Sequence, residues 1–375
     1  MKVGILTFPN SKSYGAVLQM FATYMVCQER GYDAEIINYH NAWMKQEKHF
    51  TQSNERSGNF VWLKKKISNL LHIRMIKGFS KFEENMIKYP KRPIVDKQQL
   101  RHIGNRYSAV ICGSDQVWNP DITNYDVSYF LDFCGADTSR ISYAPSFGVE
   151  EVSEEFGEKI KGELEQFDAI SVREEAGQKI VRSLIGVEPQ RVIDPTLLID
   201  AEQWRKYESK HPQAEGDYIL YYTIRSSDTL WKYCLDLAQK TNMKILRIGS
   251  NVISKRLKAQ EGMEYVSDVT PDEWLYLVRN AKYVVTNSFH GTAFSINFRR
   301  NFYVEFSSLT NSRLENIVKM LGLEDRVLSE GKEIVPGQTD YTKTEAVLPG
   351  IKEESLTFLL QALENACRKN GEQNA

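Results

Sequence analysis

The sequence predicts an α/β protein of two Rossmann-like domains facing each other across a cleft. Three observations predict it. Short apolar runs rich in β-branched and aromatic residues alternate with longer runs of helical periodicity, the pattern of a mostly parallel sheet covered by helices. The chain has 375 residues, more than one ordinary core holds, since domains cluster at about 100–200 residues. Polar residues also gather directly after the apolar runs, as they do along the carboxyl edge of an open sheet, where ligands bind.

The opening run, residues 3–8, reads as a first strand and is too short for a signal peptide or a membrane span. A polar loop follows, Pro9-Asn10-Ser11-Lys12-Ser13-Tyr14-Gly15, then a helix whose Val17, Leu18, Phe21, Tyr24 and Met25 share a face. Gly31 closes that helix and residues 34–39 supply the second strand. The loop, with Tyr14 in it, lies at a strand's carboxyl end and forms a natural ligand rim. Residues 45–106 then depart in composition, with fifteen lysines and arginines against five carboxylates. Phe60, Leu63, Ile67, Leu70 and Leu71, then Met75, Phe79, Phe82 and Met86, recur there at helical spacing beside Lys64, Lys65 and Lys66. Two readings stand: a solvated amphipathic helix, or a basic insertion touching an anionic membrane surface or a lipid-phosphate-linked glycan.

The sheet resumes at residues 109–112 before Gly113-Ser114-Asp115-Gln116-Val117-Trp118-Asn119. Further runs are 141–144, 169–172 before Arg173-Glu174-Glu175, and 192–193 before Asp194-Pro195-Thr196. The first domain is predicted over residues 1–205, with its basic insertion at about 45–106. A polar linker is predicted over 206–217, a second domain over 218–349, and a terminal helix over 350–375 that returns to the first domain. Thr270-Pro271-Asp272-Glu273 is a strong helix start, with proline at the first helical position and glutamate at the third.

Composition sets bounds. A hydrophobic content of 42% and charged content of 26% are those of a soluble globular protein, and a net charge of −1 gives no global pull toward nucleic acid. The five cysteines, Cys27, Cys112, Cys134, Cys234 and Cys367, are scattered and form no C-x-x-C pair. That pattern argues against a disulfide framework or structural zinc and fits a reducing cytosol. The expected location is cytoplasmic, with peripheral contact at the inner membrane face if the basic insertion meets lipid.

The most informative segment runs from Tyr283 to Asn297. There the apolar run Tyr283-Val284-Val285 ends in Thr286-Asn287-Ser288-Phe289-His290-Gly291-Thr292 and turns helical. His290 therefore stands at a strand's carboxyl end beside a helix N-terminus, whose unpaired N–H groups favour an anion. Imidazole exchanges protons near neutrality, which suits it to acid/base work. Gly291 is expected to let a ligand approach the backbone, and Thr292 to cap the helix.

With these blocks in order, the chain resembles the polysaccharide pyruvyl transferase family. The matching segments are Gly4-Ile5-Leu6-Thr7 with Tyr14-Gly15, Gly113 to Asn119, Ile170-Ser171-Val172-Arg173-Glu174, Asp194-Pro195-Thr196, and Ser288 to Phe294, over about residues 1–325. The resemblance implies a glycosyltransferase-B-like fold. It also implies metal-independent transfer of a pyruvyl group from phosphoenolpyruvate to a sugar of a polysaccharide or lipid-linked precursor, as a ketal, with no cofactor. It gives His290 the acid/base role. Donor binding falls to Arg225, Arg313, Arg173, Asn287, Ser288, Gly291 and Thr292, and acceptor binding to Asp115, Trp118 and Tyr14. For Arg173 an internal ion pair with its neighbouring glutamates stays open beside substrate binding, and Asp194 reads as structural.

One departure matters. Many members of that family carry serine-arginine-leucine before the histidine, whereas this chain has Asn287-Ser288-Phe289, so a cation is missing at Ser288. Arg313 is the expected replacement. Two alternatives follow: a nucleotide-sugar-dependent glycosyltransferase of the same architecture, or a non-catalytic glycan-binding relative.

Overall fold

The computed structural model describes residues 1–41, 73–88, 90, 92–248, 263–306 and 311–373. The chain divides into two units: Met1–Asn54, Glu83–Ile199 and Leu348–Ala375 form the first, and Glu55–Phe82 with Asp200–Val347 the second. Phe60, Leu63 to Ile67, Leu70 and Leu71 of the basic insertion lie outside the described residues.

In the first unit four parallel strands, β1 (Lys2–Leu6), β2 (Asp33–Ile36), β3 (Ala109–Cys112) and β4 (Ser139–Ser142), take the order β2-β1-β3-β4. Gly4 is needed in β1, because a Cβ there would lie 2.9 Å from Ile37 Cδ1 and 3.1 Å from the Tyr107 ring. The Tyr14–Glu29 helix is buried along most of its length and ends at Arg30, with Gly31 in the left-handed region at φ 80° as expected of a helix-closing glycine. A short parallel pair, β5 (Ser171–Val172) and β6 (Gln190–Arg191), extends the unit. The terminal segment from Leu348 belongs here, and the Ser355 hydroxyl accepts from Ile193 N–H at 3.1 Å.

The second unit holds a six-stranded parallel sheet: β7 (Tyr218–Tyr222), β8 (Lys244–Ile248), β9 (Met263–Val266), β10 (Tyr283–Thr286), β11 (Asn301–Glu305) and β12 (Val327–Leu328). Their order is β12-β11-β10-β7-β8-β9. Under it Trp274 meets Tyr222 and Phe294 edge-on at 5.3 and 5.2 Å, and Trp204 meets Phe294 at 5.0 Å. The Pro271–Asn280 helix starts as its sequence demands, with the Glu273 carboxylate accepting from Thr270 N–H at 3.0 Å.

Two boundaries differ from expectation. Residues 206–217 are docked on the second unit: Ser209 N–H donates to Asp272 O at 3.1 Å, Lys244 Nζ to Gln213 O at 3.0 Å, and His211 is buried. The Ile73–Met86 helix, predicted as part of the first domain's insertion, belongs to the second unit up to Phe82. Arg74 pairs with Glu273 and donates to Asp268 O at 2.8 Å, and Thr270 packs where a Cβ on Gly78 would be. The helical spacing of Phe79 and Phe82 is legible in the sequence, but the partners that hold Arg74 and Gly78 of the same helix lie almost 200 residues away.

In both sheets the first strand is internal, and the chain places later strands on its two sides. The order therefore reverses between β1 and β3 in one unit and between β7 and β10 in the other. Ligands of open α/β sheets bind beyond the carboxyl ends at such reversals.

Candidate functional site

At the β7/β10 reversal the paired strands end together, Tyr222 opposite Thr286. Beyond β10, Thr286 Oγ1 accepts from Ser288 N–H at 3.0 Å, and Ser288 becomes the N-cap of the Phe289–Asn297 helix, its hydroxyl accepting from Gly291 N–H at 3.2 Å. Ser288 thus does what Thr292 was expected to do. Thr292 lies one turn inside, fully buried, and its hydroxyl donates back to Ser288 O at 3.0 Å. The cap explains why serine suits this position: its short hydroxyl reaches the first turn, and an arginine would not close it.

His290 is the second residue of that helix, 7% exposed, its ring edge-on to Phe289 at 5.2 Å. Gly291 serves packing, contrary to its expected role of opening the backbone to a ligand. A Cβ would stand 2.5 Å from Thr286 Oγ1 and 3.2 Å from the Tyr222 ring, so the helix rests directly on the strand ends. Tyr222 is a residue that the sequence did not nominate. It closes β7, is hydrogen-bonded through its side chain to Ser288, and burial pushes its phenol well up, so it stays protonated.

Arg225 lies three residues past β7, in a loop with Ile224 and Ser226 that is exposed. Among the described residues no carboxylate pairs with its guanidinium, while its carbonyl accepts from Asn287 Nδ2 at 2.9 Å. Arg313 is buried at the third position of the Asn311–Leu321 helix, which packs against the histidine-bearing helix.

The first unit's edge is built differently. Arg173 is buried and bonds Asp194 Oδ2 at 2.8 Å, with Glu174 at 3.7 Å and the Ser114 hydroxyl at 3.4 Å. Burial alone would drive its charge off, but Asp194, Glu174 and Asp115 outweigh burial and raise its proton affinity. An internal ion pair is observed, but its main partner is Asp194; of the neighbouring glutamates Glu174 is the more distant partner and Glu175 pairs with Lys179. Asp194 also accepts from the Thr196 backbone and hydroxyl, so it holds the turn as expected. Trp118 was expected to stack on a sugar. It is instead fully buried, stacked on Phe130 at 5.0 Å, with its indole N–H donated to Tyr129 O at 3.0 Å. Tyr14 opens its helix and is buried. Asp115 is half-buried with φ 76°, a left-handed backbone that is costly without glycine, and Oδ1 accepts from Gln116 N–H at 2.8 Å. Cys112, beside this loop, is fully buried and burial pushes its thiol up, so it is inert.

Among the described residues no three His, Cys, Asp or Glu side chains gather to hold a metal ion. A cavity of about 410 Å³ does open on the Glu175–Ile185 helix, but Lys179 and Arg182 in it are already paired with Glu175 and Glu188. Among the described residues no helix is long and apolar enough to cross a membrane.

The sequence profile of the polysaccharide pyruvyl transferase family matches residues 14–304. The chain belongs to that family. The match takes in Arg225 and the whole segment from Asn287 to Thr292, and it makes this pyruvyl transferase relative a transferase by descent. No functionally curated protein matches the sequence. Among solved structures, a Listeria monocytogenes protein assigned as a UDP-N-acetylglucosamine 2-epimerase is similar at TM-score 0.51 and 10% identity, over 99% of this chain and 89% of that one. Anabaena Alr3699/HepE, solved with UDP and glucose, gives TM-score 0.49 and 9% identity over 100% and 98%. At such identities the first likeness shows the fold alone, and the fold is the glycosyltransferase-B-like α/β architecture that the sequence predicted.

Proposed function

We propose that this family member transfers a pyruvyl group from phosphoenolpyruvate to a sugar of a cytoplasmic polysaccharide or lipid-linked glycan precursor. The observation that carries the reading is an exposed arginine with no internal partner among the described residues, at a strand-order reversal shared with a histidine-bearing helix N-terminus. A small donor with a carboxylate and a phosphate needs such a cation, and Arg225 offers a planar fork for two bonds.

The chemistry balances without redox change. One sugar hydroxyl oxygen bonds to C2 of phosphoenolpyruvate as a proton adds to C3, which becomes a methyl group. A second hydroxyl then displaces inorganic phosphate from C2 and closes the ketal. Of the two hydroxyl protons released, one balances that at C3 and the other leaves with phosphate. In this reading His290 delivers or receives these protons, Arg225 holds the acidic donor, and Arg313 supplies the charge lost at Ser288. Positioned proton transfer contributes about 10²–10⁴-fold. His290→Ala should therefore lower ketal formation, followed by phosphate release, by about that factor with little change in melting temperature. Wild-type turnover by this variant would remove the proposed acid/base.

The serine at 288, where a cation is missing, favours a second reading, nucleotide-sugar-dependent transfer. Thermal shifts with phosphoenolpyruvate and with UDP-N-acetylglucosamine separate the two. Stabilisation by the nucleotide sugar alone would replace the first reading.

A further inference from the structure

The β7–β10 ladder ends at Tyr222 and Thr286, yet one more rung follows it. Asn287 is 3% exposed, and its side chain makes that rung: Oδ1 accepts from Ile224 N–H at 3.0 Å while Nδ2 donates to Arg225 O at 2.9 Å. The carboxamide stands in for a peptide group, continuing the sheet by side chain while the Asn287 backbone turns toward the helix cap at Ser288. Only a short amide fits. Aspartate keeps the acceptor but loses the donor, serine is too short to reach both, and an amide turned over would oppose N–H to N–H and oxygen to oxygen.

The far end of the same loop is fixed too. The Ser227 hydroxyl donates to Glu305 Oε1 at 2.9 Å and accepts from Leu230 N–H at 3.0 Å, capping the Asp228–Thr241 helix. Between these two anchors Arg225 and Ser226 are exposed. We propose that Asn287 is a positioning residue that binds no donor itself and fixes the Ile224–Arg225 segment so that the Arg225 guanidinium is held ready at the β7/β10 reversal. This inference rests on the donor role given above to Arg225.

Two measurements test it. Hydrogen exchange on the ligand-free protein should show the Ile224 amide exchanging about tenfold faster in Asn287→Ala, as expected for loss of one buried hydrogen bond, while the near-isosteric Asn287→Asp, which keeps the acceptor, leaves that amide protected. The steady-state KM for phosphoenolpyruvate should rise about tenfold in Asn287→Ala with kcat within about twofold, and Asn287→Ala combined with Arg225→Ala should be no worse than Arg225→Ala alone. Unchanged exchange at Ile224 in Asn287→Ala would overturn the proposal, as would additive losses in the double variant, the mark of direct donor contact. A lowered melting temperature with an unchanged KM would overturn it as well. Absence of phosphoenolpyruvate turnover in the wild type would strike the functional reading instead, and the exchange measurement would still decide whether Asn287 holds the loop.

Discussion

Arg173 and Arg225 both follow strands, and both were nominated by the sequence as donor-binding cations, yet their surroundings are opposite. Arg173 is 7% exposed and bonded to Asp194 at 2.8 Å, with Glu174 and Ser114 beside it. Arg225 is exposed, meets no carboxylate among the described residues, and has only its backbone tied down. The first arrangement uses a cation to neutralise buried acids and fix a turn. The second leaves a solvent-facing charge that no carboxylate among the described residues pairs with. A buried, satisfied arginine is a structural part, and the exposed one on its braced loop is the one to which donor binding is assigned in the proposed function.

The contrast breaks most readily at Arg173. Arg173→Met would leave Asp194 and Glu174 buried without their cation, and should cost about 3–5 kcal/mol in denaturant unfolding. A loss below about 1 kcal/mol would mean the pair is solvated. Arg225→Ala should do the reverse: unfolding free energy within about 0.5 kcal/mol of wild type, but a KM for phosphoenolpyruvate raised about 10- to 100-fold, the effect of losing charge-assisted hydrogen bonds. Equal KM values would end its donor role.

Acid pH sharpens the comparison within the second unit. Burial pushes the His211 imidazole down, Glu273 opposes the shift, and Arg74 adds to it. A histidine whose folded pKa lies below its unfolded value, about 6.5, binds its proton more weakly in the native state. Its contribution to stability is then complete above that pH and is lost as pH falls through the folded value. Urea midpoints between pH 7.5 and 5 should therefore fall more steeply for wild type than for His211→Gln, and identical slopes would contradict this assignment. The smallest effect is at the cap, where Ser288→Ala should cost about 1 kcal/mol. No change in thermal midpoint would show that the Ser288 hydroxyl holds nothing.

Local signals were legible because their causes are local. The Thr270-Pro271-Asp272-Glu273 start, the closing Gly31, the strand-to-helix turn at residues 286–292 and the alternation that gives two sheets all follow from neighbours in sequence. What the sequence hid is the identity of distant partners. Trp118 belongs to the core because Phe130 and the Tyr129 carbonyl take up its ring and its N–H. Gly291 is hemmed in by Thr286 and also by Tyr222, almost 70 residues earlier, and the clamp from Asn287 reaches residues 224 and 225. The motif marked where the candidate site is. It did not say which of its residues face a ligand and which hold the others in place.

Among the described residues the chain alternates between its two units: 1–41, 83–199 and 348–373 belong to the first, 73–82 and 200–347 to the second. No single cut can therefore yield two whole halves. A fragment ending at Ile199 would keep the Ile73–Met86 helix while discarding Thr270, which covers Gly78, and Glu273, which pairs with Arg74. It would also lose Ser355, which accepts from Ile193. The stability of either half is thus written partly in the other half's stretch of the gene, and dissecting this transferase calls for excised loops and rejoined segments rather than simple truncation.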